Sequence, residues 1–141
     1  MPDKRSVNVE FKSWQPDGGS QQSILQGELH RLVTGWALTY KEPMDEAGNV
    51  TAVTMIIHER ELRLRRRGAI SLEQVFQTGF TLPGRMETPY GPQDVEALTS
   101  RLDINLSENG GVIEWEYELL MQDQAAGSFH IRLDIREEEA G

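Results

Sequence analysis

Ile113, Trp115, Tyr117 and Leu119 alternate with Glu114, Glu116 and Glu118. After a short polar break, Phe129, Ile131, Leu133 and Ile135 alternate with His130, Arg132, Asp134 and Arg136. Side chains of an extended chain point to opposite faces with a period of two, so each segment carries one dry face and one wet face. That is the pattern of half-buried antiparallel strands. It recurs in Val7, Val9 and Phe11, in Trp36, Leu38 and Tyr40, in Leu62 and Leu64, and in Leu102, Ile104 and Leu106.

Turn chemistry separates the runs. Trp14 to Ser20 contains Pro16-Asp17-Gly18-Gly19, Pro43 to Asn49 ends on Gly48-Asn49, and Pro89-Tyr90-Gly91-Pro92 is a strong turn signal. Asn109-Gly110-Gly111 has the residues a hairpin turn needs. The extended stretch from Gln22 to Val33 contains Gly27, read as a bulge or a close backbone approach. Val50 to Ile57 is rich in β-branched residues, and His58 to Glu61 forms a tight connection to the next strand, which Gly68 ends. Ile70 and Leu72 open a short strand that reaches Phe76; Phe80 and Leu82 lead to Pro83-Gly84, and a further segment covers Met86 to Thr88. Asp94 to Leu98 has some helical propensity, but the alternation from Leu102 to Leu106 favours reading Gln93 to Leu106 as extended. Residues 136–141 are expected to fray.

The pattern predicts an all-β chain, one domain over residues 1–141, with about nine or ten strands. So many strands must manage their unpaired edges, and closure removes them. A single antiparallel up-and-down β-barrel suits the short turns; a sandwich is the alternative.

Composition narrows the function. The 141 residues are 38% hydrophobic, enough for one core, and apolar runs are too short for a transmembrane helix. Without cysteine there is neither a disulfide framework nor thiolate chemistry, and no secretory signal opens the chain, so a cytoplasmic location is expected. A net charge of −9 makes this an acidic protein and opposes binding to nucleic acid or to an anionic membrane. Arg60, Arg63, Arg65, Arg66 and Arg67 form the one basic cluster. They either meet an anionic partner or pair with glutamates across strands, and pairing is the favoured reading.

Chemistry is sparse. His30, His58 and His130 fall on separate strands without metal-ligand spacing, so neither metal nor cofactor is expected. Glu114, Glu116 and Glu118 share a solvated face, poorly suited to the shielded general acid that catalysis needs. No nucleophile elbow or phosphate-binding loop is present, and the chain reads as a non-enzyme.

One constellation stands out. The parity of Leu62 and Leu64 turns Arg66 inward, and a buried arginine needs an acceptor. With Tyr40 or Tyr117 nearby, Arg66 could hold a ligand carboxylate bidentately. The competing reading places Arg66 at the barrel mouth or pairs it with a protein carboxylate such as Glu87. A bulge near Gly68 would instead turn Arg67 in.

An ordered series of residues adds a family resemblance: Arg66-Arg67-Gly68-Ala69-Ile70, Phe76 with Gly79, Thr88-Pro89-Tyr90-Gly91, Thr99, Asn109-Gly110-Gly111 and Tyr117. Over residues 63–136 the chain resembles the YwiB-like family of small bacterial proteins of unknown function; the N-terminal half matches by strand pattern alone. The resemblance implies a calycin-like β-barrel, of the kind seen in lipocalins, whose members often hold small hydrophobic ligands inside. Gly35-Trp36 echoes the lipocalin glycine–tryptophan pair but lies too late in the chain, without the rest of that motif. The leading expectation is a barrel that binds a small amphipathic or anionic ligand in its interior through Arg66, Tyr40 and Tyr117. The alternative is a non-catalytic interaction module, such as a homodimer, with a filled barrel.

Overall fold

Each strand pairs antiparallel with its neighbour in sequence, and the last pairs with the first. The structure, a computed structural model, describes residues 4–16 and 18–138. The strands are β1 (Lys4–Trp14), β2 (Ser20–Leu32), β3 (Gly35–Lys41), β4 (Ala52–Ile57), β5 (Leu62–Arg67), β6 (Ser71–Phe76), β7 (Thr81–Thr88), β8 (Gly91–Ser107), β9 (Gly110–Met121) and β10 (Gln124–Glu137). No helix occurs among the described residues. The result is the closed up-and-down barrel that the alternation predicts.

The dry faces meet inside. Val7, Val9, Leu38, Phe76, Trp115 and Leu133 are all essentially inaccessible to water. Burial of side chains of this size stabilises by roughly 1.5–3 kcal/mol each. Closure runs from Val7 opposite Glu137 to Trp14 opposite His130. Arg136 and Glu137 therefore belong to β10 rather than to a frayed tail, and the Glu138 N–H donates to the Ser6 carbonyl oxygen. Residues 139–141 of the expected tail, and Asp17 of the β1–β2 turn, lie outside the described residues.

Several motif residues behind the family resemblance shape turns. Thr88 Oγ1 accepts from the Tyr90 N–H at 3.1 Å and donates to the Gly91 carbonyl oxygen at 3.2 Å, which fixes the β7–β8 turn. Gly110 and Gly111 have φ of 119° and 146°, where a side chain is strained. Gly27 is a close approach rather than a bulge: it pairs in register with Tyr40, and a Cβ on it would lie 2.4 Å from the Thr39 carbonyl oxygen.

The wall departs from the sequence reading at Pro83-Gly84. Both lie within the continuous strand β7, but β6–β7 pairing ends at Gln74 opposite Gly84. The register would next set Val75 against Pro83, which has no N–H to donate. Gln74 closes this seam. Its buried side-chain amide donates to the carbonyl oxygens of Val75 at 2.9 Å, Leu82 at 3.0 Å and Pro83 at 3.3 Å. Gly84 leaves room for it, since a Cβ there would lie 2.1 Å from Gln74 Oε1 and 2.7 Å from the Glu73 carbonyl oxygen. Gly84→Ala is therefore expected to lower stability by about 1–3 kcal/mol in urea unfolding, as overpacked sites do. A change near zero would show that the seam has slack.

Candidate functional site

Five connections crowd one end of the barrel, because strand direction alternates: β1–β2, β3–β4, β5–β6, β7–β8 and β9–β10. A cavity of about 590 Å³ opens at this end. Much of its lining is apolar, with Leu25, Met55, Leu64, Leu72, Trp115 and Phe129 contributing. Beneath lies solid core, where the Phe76 ring packs against Trp115 and Tyr117 at centroid distances of 5.9 and 4.5 Å. The cavity exists because inward positions near this end are small: Ser13, Ser23, Thr51 and Ala69 line it. Small side chains there leave volume that large ones fill lower down.

Arg66 points inward as its parity requires. Leu62 and Leu64 are buried, and β5 reaches Arg67 with no register shift. Arg66, Tyr40 and Tyr117 all line the cavity. Tyr40 and Arg66 flank Val53 in one cross-strand row. The Arg66 side chain retains 37% of its exposure at the mouth. Its partner is Glu42. Arg66 Nη2 donates to both Glu42 carboxylate oxygens, reaching Oε2 at 3.0 Å. Glu87, named from the sequence as a partner, instead lies 3.6 Å from Arg85.

Glu42 is the cavity residue that sequence reading missed. It lies just beyond β3, yet its N–H still bonds the Thr51 carbonyl oxygen. The inward parity of Leu38 and Tyr40 continues to it, so the alternation contained the signal. The β3–β4 connection is ordered by Asp45, whose Oδ1 accepts from the N–H groups of Asn49 at 2.8 Å and Ala47 at 3.0 Å. These bonds, the Asn49 one first, hold the Asp45 carboxyl below the ordinary carboxylate range.

Both cavity tyrosines have raised pKa values. Burial pushes the Tyr117 hydroxyl up to about 12, against a smaller opposing pull from the Arg66 charge. Burial also raises Tyr40, reinforced by the Glu42 carboxylate and opposed by Arg66. Among the described residues neither phenol oxygen has a hydrogen-bonding partner.

The outer wall absorbs most other candidates. Glu114 is 14% exposed, beneath His130, Arg101 and Arg132. His130 Nε2 lies 2.5 Å from Glu114 Oε2, and its ring packs on Trp14 with centroids 4.5 Å apart. His30 lies against Glu28 and His58 against the Thr34 carbonyl oxygen. No group of three metal-ligating side chains occurs among the described residues. The arginine cluster largely pairs with carboxylates, Arg63 with Glu61 and Arg65 across the strands with Glu73. No helix among the described residues is long and apolar enough to cross a membrane.

The tyrosine shifts set a pH window. A hydroxyl whose pKa rises on folding favours the folded state below its ordinary pKa of 10.0, and that contribution is lost as pH rises toward about 12. Unfolding free energy measured in urea should fall through this window, and fall less steeply for Tyr117→Phe. Identical slopes would show that Tyr117 titrates alike folded and unfolded.

Comparison with known proteins places the fold. A crystal structure of the ywiB protein from Bacillus subtilis matches with a TM-score of 0.83 at 18% identity, over 99% of this chain and 96% of that one. The likeness thus includes the N-terminal half. A crystal structure of the LolA superfamily protein NE2245 from Nitrosomonas europaea matches over 99% of this chain and 88% of that one, at 11% identity and a TM-score of 0.28. No curated protein matches. The family model described as a domain of unknown function, DUF1934, matches residues 9–133, from β1 into β10, and the chain therefore belongs to the DUF1934 family.

Proposed function

We propose that the protein binds a small amphipathic molecule in the open end of its barrel. The observation that carries this reading is the cavity of about 590 Å³, whose lining combines apolar side chains with Arg66, Tyr40 and Tyr117. That volume lies within the range of small-molecule sites, which combine apolar walls with a few placed polar groups. The ligand's apolar body would pack on Leu25, Met55, Leu64 and Phe129 above Trp115. Its polar head would lie among Arg66, Tyr40 and Tyr117. Burial supplies the affinity, at roughly 0.8 kcal/mol per CH₂ group. The charge-assisted contact fixes the orientation. The reading is binding without chemical conversion. Residence in the cytoplasm suits a cysteine-free acidic chain and is part of the proposal.

A second reading, an interaction module or homodimer, is favoured by one observation. The exposed side chains Met44, Val50, Ile70 and Tyr90 stand on connections at the same open end. Clustered exposed apolar groups mark interaction surfaces. Native mass spectrometry of protein purified from its own host separates the readings, because it reports bound small molecules and subunit number together.

Decanoate is a suitable probe of the first reading. Wild type should bind it in calorimetric titration, and Arg66→Ala should weaken it by roughly tenfold, the scale of one charge-assisted hydrogen bond. Equal affinities would remove Arg66 from any ligand role.

A further inference from the structure

The Arg66–Glu42 pair is an unusual feature for a binding cavity, because the group best suited to hold an anion already holds one. Tyr40, Val53 and Arg66 form one cross-strand row on the inner wall, and Glu42 stands one inward position nearer the mouth than Tyr40. The Glu42 carboxylate thus reaches over β4 to meet the guanidinium. Both of its oxygens fall on the single nitrogen Nη2. Among the described residues Arg66 Nε and Nη1 have no partner, so the two-pronged face of the guanidinium is not used in full. Side-chain exposure is 37% for Arg66 and 29% for Glu42, so water reaches the pair and it contributes little to holding the barrel together. Glu42 lies outside the strands, on a connection whose order comes from Asp45 rather than from the ion pair.

We propose that Glu42 stands in for the head group of an amphipathic carboxylate, which replaces it on Arg66 when the cavity is filled. This rests on the binding reading above and names its ligand class. The exchange swaps one carboxylate for another on the same guanidinium, and the released Glu42 side chain turns outward into water. Competition from Glu42 scales the affinity for every anion by the fraction of time Arg66 is free of it. A short carboxylate such as acetate gains too little from burial to win. One with a long apolar tail recovers the difference on the cavity walls. Glu42 thereby sets specificity toward tailed carboxylates.

The test is calorimetric titration of decanoate, decanol and acetate into wild type, Glu42→Gln and Glu42→Ala, with thermal unfolding as a check on folding. Both variants should bind decanoate about two- to fivefold tighter than wild type and leave decanol unchanged. Acetate, undetected on wild type, should bind detectably where Glu42 is replaced. Decanoate affinity that is unchanged or weaker in a folded variant overturns the inference while leaving the cavity as a site. Binding of neither decanoate nor decanol to any of the proteins overturns the cavity reading, and this one with it. A crystal structure of wild type with decanoate gives a check independent of the variants: its carboxylate should lie on Arg66 with Glu42 turned away. A head group seated elsewhere, beside an intact Arg66–Glu42 pair, overturns the proposal.

Discussion

Pairing of the first strand with the last is the constraint on which the structure depends. An open meander of ten strands would leave β1 and β10 with rows of unpaired N–H and C=O groups and an inner face that water could reach from both sides. The antiparallel ladder from Val7–Glu137 to Trp14–His130 removes both problems at once. It also converts a two-residue rhythm into an inside and an outside. Every later distinction, between core and wall or between cavity and mouth, is defined by that closure.

Charge is sorted by the same division. The chain carries 23 acidic and 14 basic residues, and most of those in the strands stand on the outer wall. There, cross-strand neighbours such as Arg65 and Glu73, or His130 and Glu116, meet because the register sets them opposite. Such pairs are solvated and worth little individually. Their collective effect is to keep a strongly charged surface locally neutralised. Arg66 and Glu42 are different: they stand inward, at an end where small side chains leave space.

Where the alternation fails to describe the wall, a particular residue compensates. Pro83 interrupts the ladder, and Gln74, at a position where the rhythm calls for an apolar side chain, turns its amide onto the orphaned carbonyls. Gln122 and Asp123 carry positive φ of 52° and 63° in the β9–β10 turn without the glycine or asparagine that such turns favour. That turn was legible only as a polar break, because its residues announce no turn type. Gly84 similarly reads as a strand end from sequence, although its role is to clear space for Gln74.

The sequence by itself determined the strands, their inward faces and the all-β class, because parity is a local property of an extended chain. It also placed Arg66, Tyr40 and Tyr117 inside, by counting in twos from buried leucines and aromatics. Tertiary structure decided what those inward residues meet. The Glu42 partner lies across β4, the cavity depends on how Ser13, Ser23, Thr51 and Ala69 from separate strands fall at one level, and the seam depends on which strand faces Pro83. These are facts of register and closure between distant segments, and no local pattern encodes a distance across a barrel.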